Sequence, residues 1–289
     1  MSDYVILTDS SCDLPRSFID QYQVPFVSLV CNFRGKEWVD DFGKTLDYKE
    51  FYSALRQGEM SSTSQVNVQT YLDKFNEFTK QNKPIIYIGF SSALSGSVSS
   101  AYTAQKIVSE QNPHADITII DSKSASLGQG LLVYYAYAMQ KNGTNKEDLI
   151  GWLENTKLKI NHWFTVDSLD HLKRGGRISG TAAFIGNILN IKPILNVNDT
   201  GGLVAAFKAK GRKKALQKIA DMLEENIIDP EEQVIAISHG DCLDEVEYLV
   251  SLIKAKYTFK DIIINHVGPV IGSHSGPGTI ALFFIGEKR

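Results

Sequence analysis

The sequence predicts an α/β protein of two domains. The first is an N-terminal parallel-sheet α/β/α domain over residues 1–158, and the second a C-terminal α/β domain with a mixed or antiparallel sheet over residues 159–289. Three observations carry this expectation. Ile85-Ile86-Tyr87-Ile88-Gly89-Phe90 is apolar almost throughout, as strands are in a sheet covered on both faces, and it leads through a serine-rich loop at 91–97 into a helical pattern over 98–108. Strand-like and helix-like segments alternate through the first half, which implies parallel strands whose carboxyl ends share one edge. In the second half, Ile194-Leu195-Asn196-Val197 and Leu203-Val204-Ala205-Ala206-Phe207 flank a turn ending in Gly201-Gly202, a hairpin pattern that introduces antiparallel pairing.

In chain order, Val5-Ile6-Leu7 reads as a strand, and Thr8-Asp9-Ser10-Ser11-Cys12-Asp13-Leu14-Pro15 as a polar loop. In that loop Asp13 or a neighbour would cap a helix with Pro15 in its first turn. Asp9 and Ser10, at the strand's end, would either shape the turn or face a ligand crevice. Residues 24–30 form a second strand and Trp38-Val39-Asp40 a brief one; residues 49–55 place Phe51, Tyr52 and Leu55 at helical spacing. The run Ser61-Ser62-Thr63-Ser64-Gln65 is too polar for a strand on its own pattern and precedes an amphipathic helix carrying Tyr71, Leu72, Phe75 and Phe78. After the strand at 85–90 and its helix, Ile117-Thr118-Ile119-Ile120-Asp121 is the next strand, ending in another serine loop at 122–126. Gly128-Gln129-Gly130 is not a dinucleotide fingerprint, because it follows that loop rather than a strand and lacks the third glycine. Helices follow at 126–141 and 145–157.

Beyond residue 159 the texture changes. Trp163-Phe164-Thr165-Val166 is a strand, and the turn Lys173-Arg174-Gly175-Gly176-Arg177-Ile178-Ser179 presents two cations around two glycines. Residues 182–189 are apolar nearly all round, as in a buried helix or one lining an apolar cavity. The hairpin follows, then five cations within residues 208–214 at the entry to a helix over 213–226. A strand at 234–237 ends in Ser238-His239-Gly240; a helix over 243–256 and a strand at 262–264 come next. A loop at 268–278 sets Gly272, Gly276, Pro277 and Gly278 around His274, before a last strand over 279–285.

Composition bounds the function. A chain of 289 residues with 43% apolar and 22% charged residues buries a sizeable core. A net charge of −3 argues against nucleic acid as the main partner. Three widely spaced cysteines imply neither a disulfide framework nor a zinc site, so a reducing cytoplasm is the expected location. Neither a leader pattern nor 18 consecutive apolar residues is present. No cofactor or metal is expected, since Walker A, G-x-S-x-G and H-E-x-x-H patterns are missing and no acidic cluster has metal-site spacing.

What remains is a set of neutral groups and cations. At Ser95, Gly96 and Ser97 a helix start offers free N–H groups and a partial positive charge to a carboxylate or phosphate, and Gly96 permits close approach. The plainer reading is that the hydroxyls only cap the helix. Likewise His274 is either a satisfied polar side chain or a group that the surrounding glycines leave open to a ligand. Arg174, Arg177, Lys210 and Arg212 form either a solvated face or the rim of an anion site.

Taken together, residues 8–14, Thr63-Ser64-Gln65, 91–96, 171–179 and 268–278 resemble the DegV family, in order and over essentially the whole chain. Its members include the fatty-acid-binding subunits of bacterial fatty acid kinase. The resemblance implies a two-domain α/β protein that is itself no enzyme. It would bury the chain of a long-chain fatty acid such as palmitate and hold the carboxylate between the domains at Thr63, Ser95, Gly96 and His274. It also implies an ATP-using kinase subunit as partner, phosphorylating the bound carboxylate, with Lys210, Arg212, Arg174 and Arg177 as candidate docking or phosphate-facing groups. At Lys210 the family pattern expects arginine; lysine keeps the charge but loses the bidentate fork. Two alternatives stay open on the residues: a serine hydrolase with Ser95 as nucleophile and His274 as base, and a lipid-responsive sensor without a kinase partner.

Overall fold

The computed structural model describes residues 4–178 and 190–289; the apolar segment at 182–189 lies outside them. Four strands form the first sheet: β1 (Val5–Asp9), β2 (Phe26–Val27), β6 (Ile85–Gly89) and β7 (Ile117–Asp121), all parallel in the order β2-β1-β6-β7. Because side chains alternate along a strand, β1 sends Ile6 to one face and Leu7 to the other. Leu7 meets α3 (Val68–Thr79) and α4 (Ser97–Gln111), whereas Ile6 meets α5 (Leu127–Lys141).

The second sheet has six strands, β8 (Ile160–Thr165), β9 (Ile191–Val197), β10 (Leu203–Lys210), β11 (Val234–His239), β12 (Asp261–His266) and β13 (Ile280–Ile285). Their order is β10-β9-β8-β13-β11-β12, with β11 and β12 parallel and the other neighbours antiparallel. Helices α8 (Arg212–Asn226) and α9 (Leu243–Lys254) cover one face. The other face packs on α5, where Ala236, Ala281, Phe283 and Phe164 share one core with Leu131, Leu132 and Ile6. Helix α5 therefore cements the two sheets. Its glycines allow the close fit: a Cβ on Gly130 would lie 2.5 Å from the Cys12 carbonyl oxygen.

Several local expectations change. Ser61–Ser64 is a strand, β5, pairing with β3 (Val30–Phe33) in a small antiparallel sheet completed by β4 (Lys36–Val39). Its polar pattern hid it because Ser61 and Thr63 face the domain junction, where Ser61 Oγ donates to Ser273 Oγ at 2.7 Å, while Ser62 and Ser64 are exposed. Arg34 and Gly35, at φ 54° and 70°, form the tight β3–β4 turn, which needs positive φ at both central residues. The strand expected over 24–30 breaks into β2 and the start of β3, one in each sheet. Pro15, not Asp13, precedes α1 (Arg16–Tyr22), without a side-chain cap. Within the loop expected at 268–278 lies a short helix, α10 (Pro269–Ser275), with Pro at its first turn and Gly276 at φ 81° ending it. Lys208 and Lys210 belong to β10, so the cation run is split between strand and helix. Among the described residues no helix is long and apolar enough to cross a membrane.

Candidate functional site

A cavity of about 200 Å³ lies between the two sheets, its walls mainly apolar: Leu29, Phe90 and Leu94 from the first domain, Phe164, Leu203 and Phe283 from the second. One end is polar. There Thr63 Oγ1 and His274 Nε2 stand 2.8 Å apart, one from β5 and the other from α10. Gln65, Ser95, Gly96 and Arg177 line the cavity beside them. Thr63, Ser95 and His274 are half-buried, while the wall further in, at Phe164 and then Phe283, is buried. A ligand with a polar head and an apolar tail matches this gradient.

Each head-end group is placed by local backbone. Ser95 accepts from the Ser97 amide at 3.2 Å and lies 3.0 Å from Ser97 Oγ, fixing the entry to α4, and Ser97 Oγ accepts from Val66 N. Gly96 sits against the side-chain amide of Gln65: a Cβ there would lie 2.1 Å from Gln65 Oε1 and would displace that side chain. Gly175 plays the same part for the histidine, since its Cβ would lie 2.1 Å from His274 Nδ1. Burial, and then the charges of Arg177 and His171, push the His274 pKa down to about 4. The imidazole is therefore neutral near pH 7, offering one donor and one acceptor. Hydrogen-bond donors and a cation at a cavity mouth suit an anionic head.

The cations are not equivalent. Arg177 lines the cavity and donates from Nε to the Leu94 carbonyl at 3.2 Å, bridging the domains. Arg174 is exposed and lies 3.0 Å from His171 Nδ1. Arg212 is held by Glu245 at 2.8 Å and donates to the Gly278 carbonyl, so it fixes the start of α8 to the loop after α10. Lys210 ends β10 with its side chain exposed.

For the hydrolase alternative the geometry is poor. His274 faces Thr63 rather than Ser95, and Ser95 is bonded to Ser97. Asp9 and Ser10 are structural rather than crevice-facing. The Asp9 carboxylate accepts from Tyr87 Oη, Phe90 N, Gln129 Nε2 and Ser11 N, and Ser10 Oγ accepts from Leu29 N. Sequence reasoning missed Gln65 as a cavity group and Gly175 as the surface behind His274. The paired glycines at 175 and 176 were the available signal, read there as a turn. Ser126 and Ser238 were also missed as cavity-lining groups.

The DegV family model matches residues 3–287 of this chain. A DegV domain-containing protein of Clostridium perfringens is 49% identical over 289 residues, covering 100% of this chain and 99% of the relative. Among solved structures, a fatty-acid-binding DegV family protein from Thermus thermophilus superposes with a TM-score of 0.89 at 29% identity, covering 99% of this chain and 100% of that one. The fatty-acid-binding protein DegV of Bacillus subtilis gives 0.85 at 30% identity, with the same coverage. Whole-length sequence matches and the same two-sheet fold together establish that this chain belongs to the DegV family.

Proposed function

We propose that this chain binds a long-chain fatty acid, with the acyl chain in the cavity between the sheets and the carboxylate against Thr63, Ser95, Gly96 and His274. The observation that carries the reading is an apolar cavity closed at its half-exposed end by the Thr63–His274 hydrogen bond across the two domains. Fatty-acid binding by the Thermus thermophilus and Bacillus subtilis proteins supports it. Burying about fifteen methylenes at ~0.8 kcal/mol each yields roughly 12 kcal/mol before ordering costs. The tail thus supplies affinity and the head supplies orientation.

Mass spectrometry of freshly purified, denatured protein should find one fatty acid per chain. Delipidated protein should take up palmitate. Thr63→Val and Ser95→Ala should each weaken uptake roughly tenfold to a hundredfold without abolishing it, the loss expected for one hydrogen bond to an ionised group. No bound lipid and no palmitate uptake would overturn the proposal.

The chain then presents its carboxylate to a separate ATP-using kinase subunit, which forms the acyl phosphate; catalysis belongs to that partner. Phosphorylation brings the carboxylate's charge against the γ-phosphate, so a nearby cation stabilises the transferring group. In this proposal Arg177, which lines the cavity, serves the phosphate, and Lys210, which is exposed, serves the partner. Lys210→Glu should leave palmitate binding nearly intact while sharply lowering acyl-phosphate formation in a reconstituted assay. Unchanged phosphorylation would return Lys210 to the solvated surface.

A further inference from the structure

Midway along the cavity wall two hydroxyls interrupt the apolar lining. Ser126 and Ser238 both border the cavity, one from the start of α5 and the other from β11, and their Oγ atoms are 2.9 Å apart. Ser126 also donates to the carboxylate of Asp13, which lies behind it and is 2% exposed. Strand register locates the pair. Thr279, Ala281 and Phe283 follow one another along the cavity floor, two residues and so about 7 Å apart in turn. Ser238 and Phe164 flank Ala281, whereas Thr279 is tied to Gly276 near His274. The hydroxyls therefore stand about one strand repeat, ~7 Å, inside the Thr279 level, well short of the deep wall at Phe283.

On the fatty-acid reading above, we infer that Ser126 and Ser238, backed by Asp13, form an internal subsite that takes a hydroxyl on the ligand's hydrocarbon chain. A plain acyl chain makes no use of two hydroxyls on the cavity wall and leaves their remaining hydrogen-bonding capacity unused. The Ser126 backbone is also strained, at φ 53° and ψ −143°, a region that residues with a side chain seldom occupy and that is kept where the site demands it.

Proton counting shows why a hydroxyl fits better than a ketone or ether. When Asp13 is ionised, the single Ser126 proton goes to the carboxylate and is withdrawn from Ser238, whose own proton is left for the cavity. The lone pairs of Ser238 then remain as acceptors toward the cavity. When Asp13 is protonated, Asp13 donates to Ser126, Ser126 to Ser238, and the Ser238 proton is again free for the ligand. Asp13 is held near the point where both states are populated, with burial raising its pKa to about 7. A ligand hydroxyl both donates and accepts, so it uses the Ser238 proton and lone pairs together, whereas an acceptor-only oxygen uses the proton alone.

The test is competition of octadecanoic acid against a positional series of monohydroxylated octadecanoic acids on the delipidated full-length protein. At least one isomer should bind as tightly as octadecanoic acid or more so. The ratio of its affinity to that of the plain acid should fall about tenfold in Ser238→Ala. Ser126→Ala should lower the same ratio. If every isomer binds more weakly than octadecanoic acid to the parent protein, or if the ratio is unchanged in both variants, the subsite is overturned. Failure of octadecanoic acid itself to bind would instead overturn the fatty-acid reading on which the subsite rests.

Discussion

His274 illustrates how much one side chain depends on its surroundings. Its Nε2 faces Thr63 Oγ1, its ring rests on Gly175, and Arg177 with His171 adds to the desolvation that lowers its pKa to about 4. A bound carboxylate opposes these effects, because a nearby negative charge favours the imidazolium. The histidine pKa should therefore rise on palmitate binding, and proton NMR of the His274 ring with and without palmitate would measure it. The bound protein then holds more protons between the two values, so this group's contribution to affinity increases as pH falls from the bound pKa toward about 4. A pKa that does not move would place the carboxylate elsewhere. The glycine framing marked His274 in the sequence, but not the partner across the domain gap, since Thr63 lies 211 residues away along the chain.

Helix α10, which carries His274, is clamped at its other end by two buried carboxyls. Gly268 N donates to Asp13 at 3.0 Å, and Asp40 accepts from Val270 N. Both acids are 2% exposed, and burial raises both pKa values, that of Asp40 well above the ordinary range and that of Asp13 to about 7. In the unfolded chain Asp13 titrates at its usual 3.8. The fold therefore binds the extra proton between these values, and this contribution to stability, full at low pH, is lost as pH rises toward 7. Asparagine keeps the shape and removes the ionisation. Asp13→Asn should gain stability relative to the parent progressively from about pH 4 to pH 7, with a constant difference above, as read by urea unfolding across that range. A pH-independent difference would mean that Asp13 is ionised without penalty.

Helix α5 joins the two sheets into one cooperative body. Leu127, Leu131, Leu132, Val133 and Ala136 are all fully buried in a core that includes Ile6, Ile86 and Ile88 on one side and Ala236 and Phe283 on the other. Leu132→Ala should destabilise the protein by about 2–5 kcal/mol, the usual cost of a buried leucine truncated to alanine. The lost contacts serve both domains, so far-UV circular dichroism and tryptophan fluorescence should still report one transition at lower denaturant. Two separated transitions would mean that the sheets unfold independently.

The covered parallel sheet was legible because a strand buried on both faces must be apolar along its length, as Ile85–Gly89 is. Alternation of strand and helix conveyed the shared edge, and Gly96 and His274 stood out because unusual backbone freedom surrounds them. These are local signals, each contained in a few consecutive residues. Strand β5 and helix α10 were not legible, because their stability comes from partners far along the chain: β5 from its ladder with β3, and α10 from Asp13 and Asp40. The same holds for the commitment of Arg212 to Glu245 and for the meeting of Ser126 with Ser238. Periodicity records which side of an element is buried, but which polar groups meet across a cavity depends on how two sheets close around α5, and no stretch of sequence carries that distance.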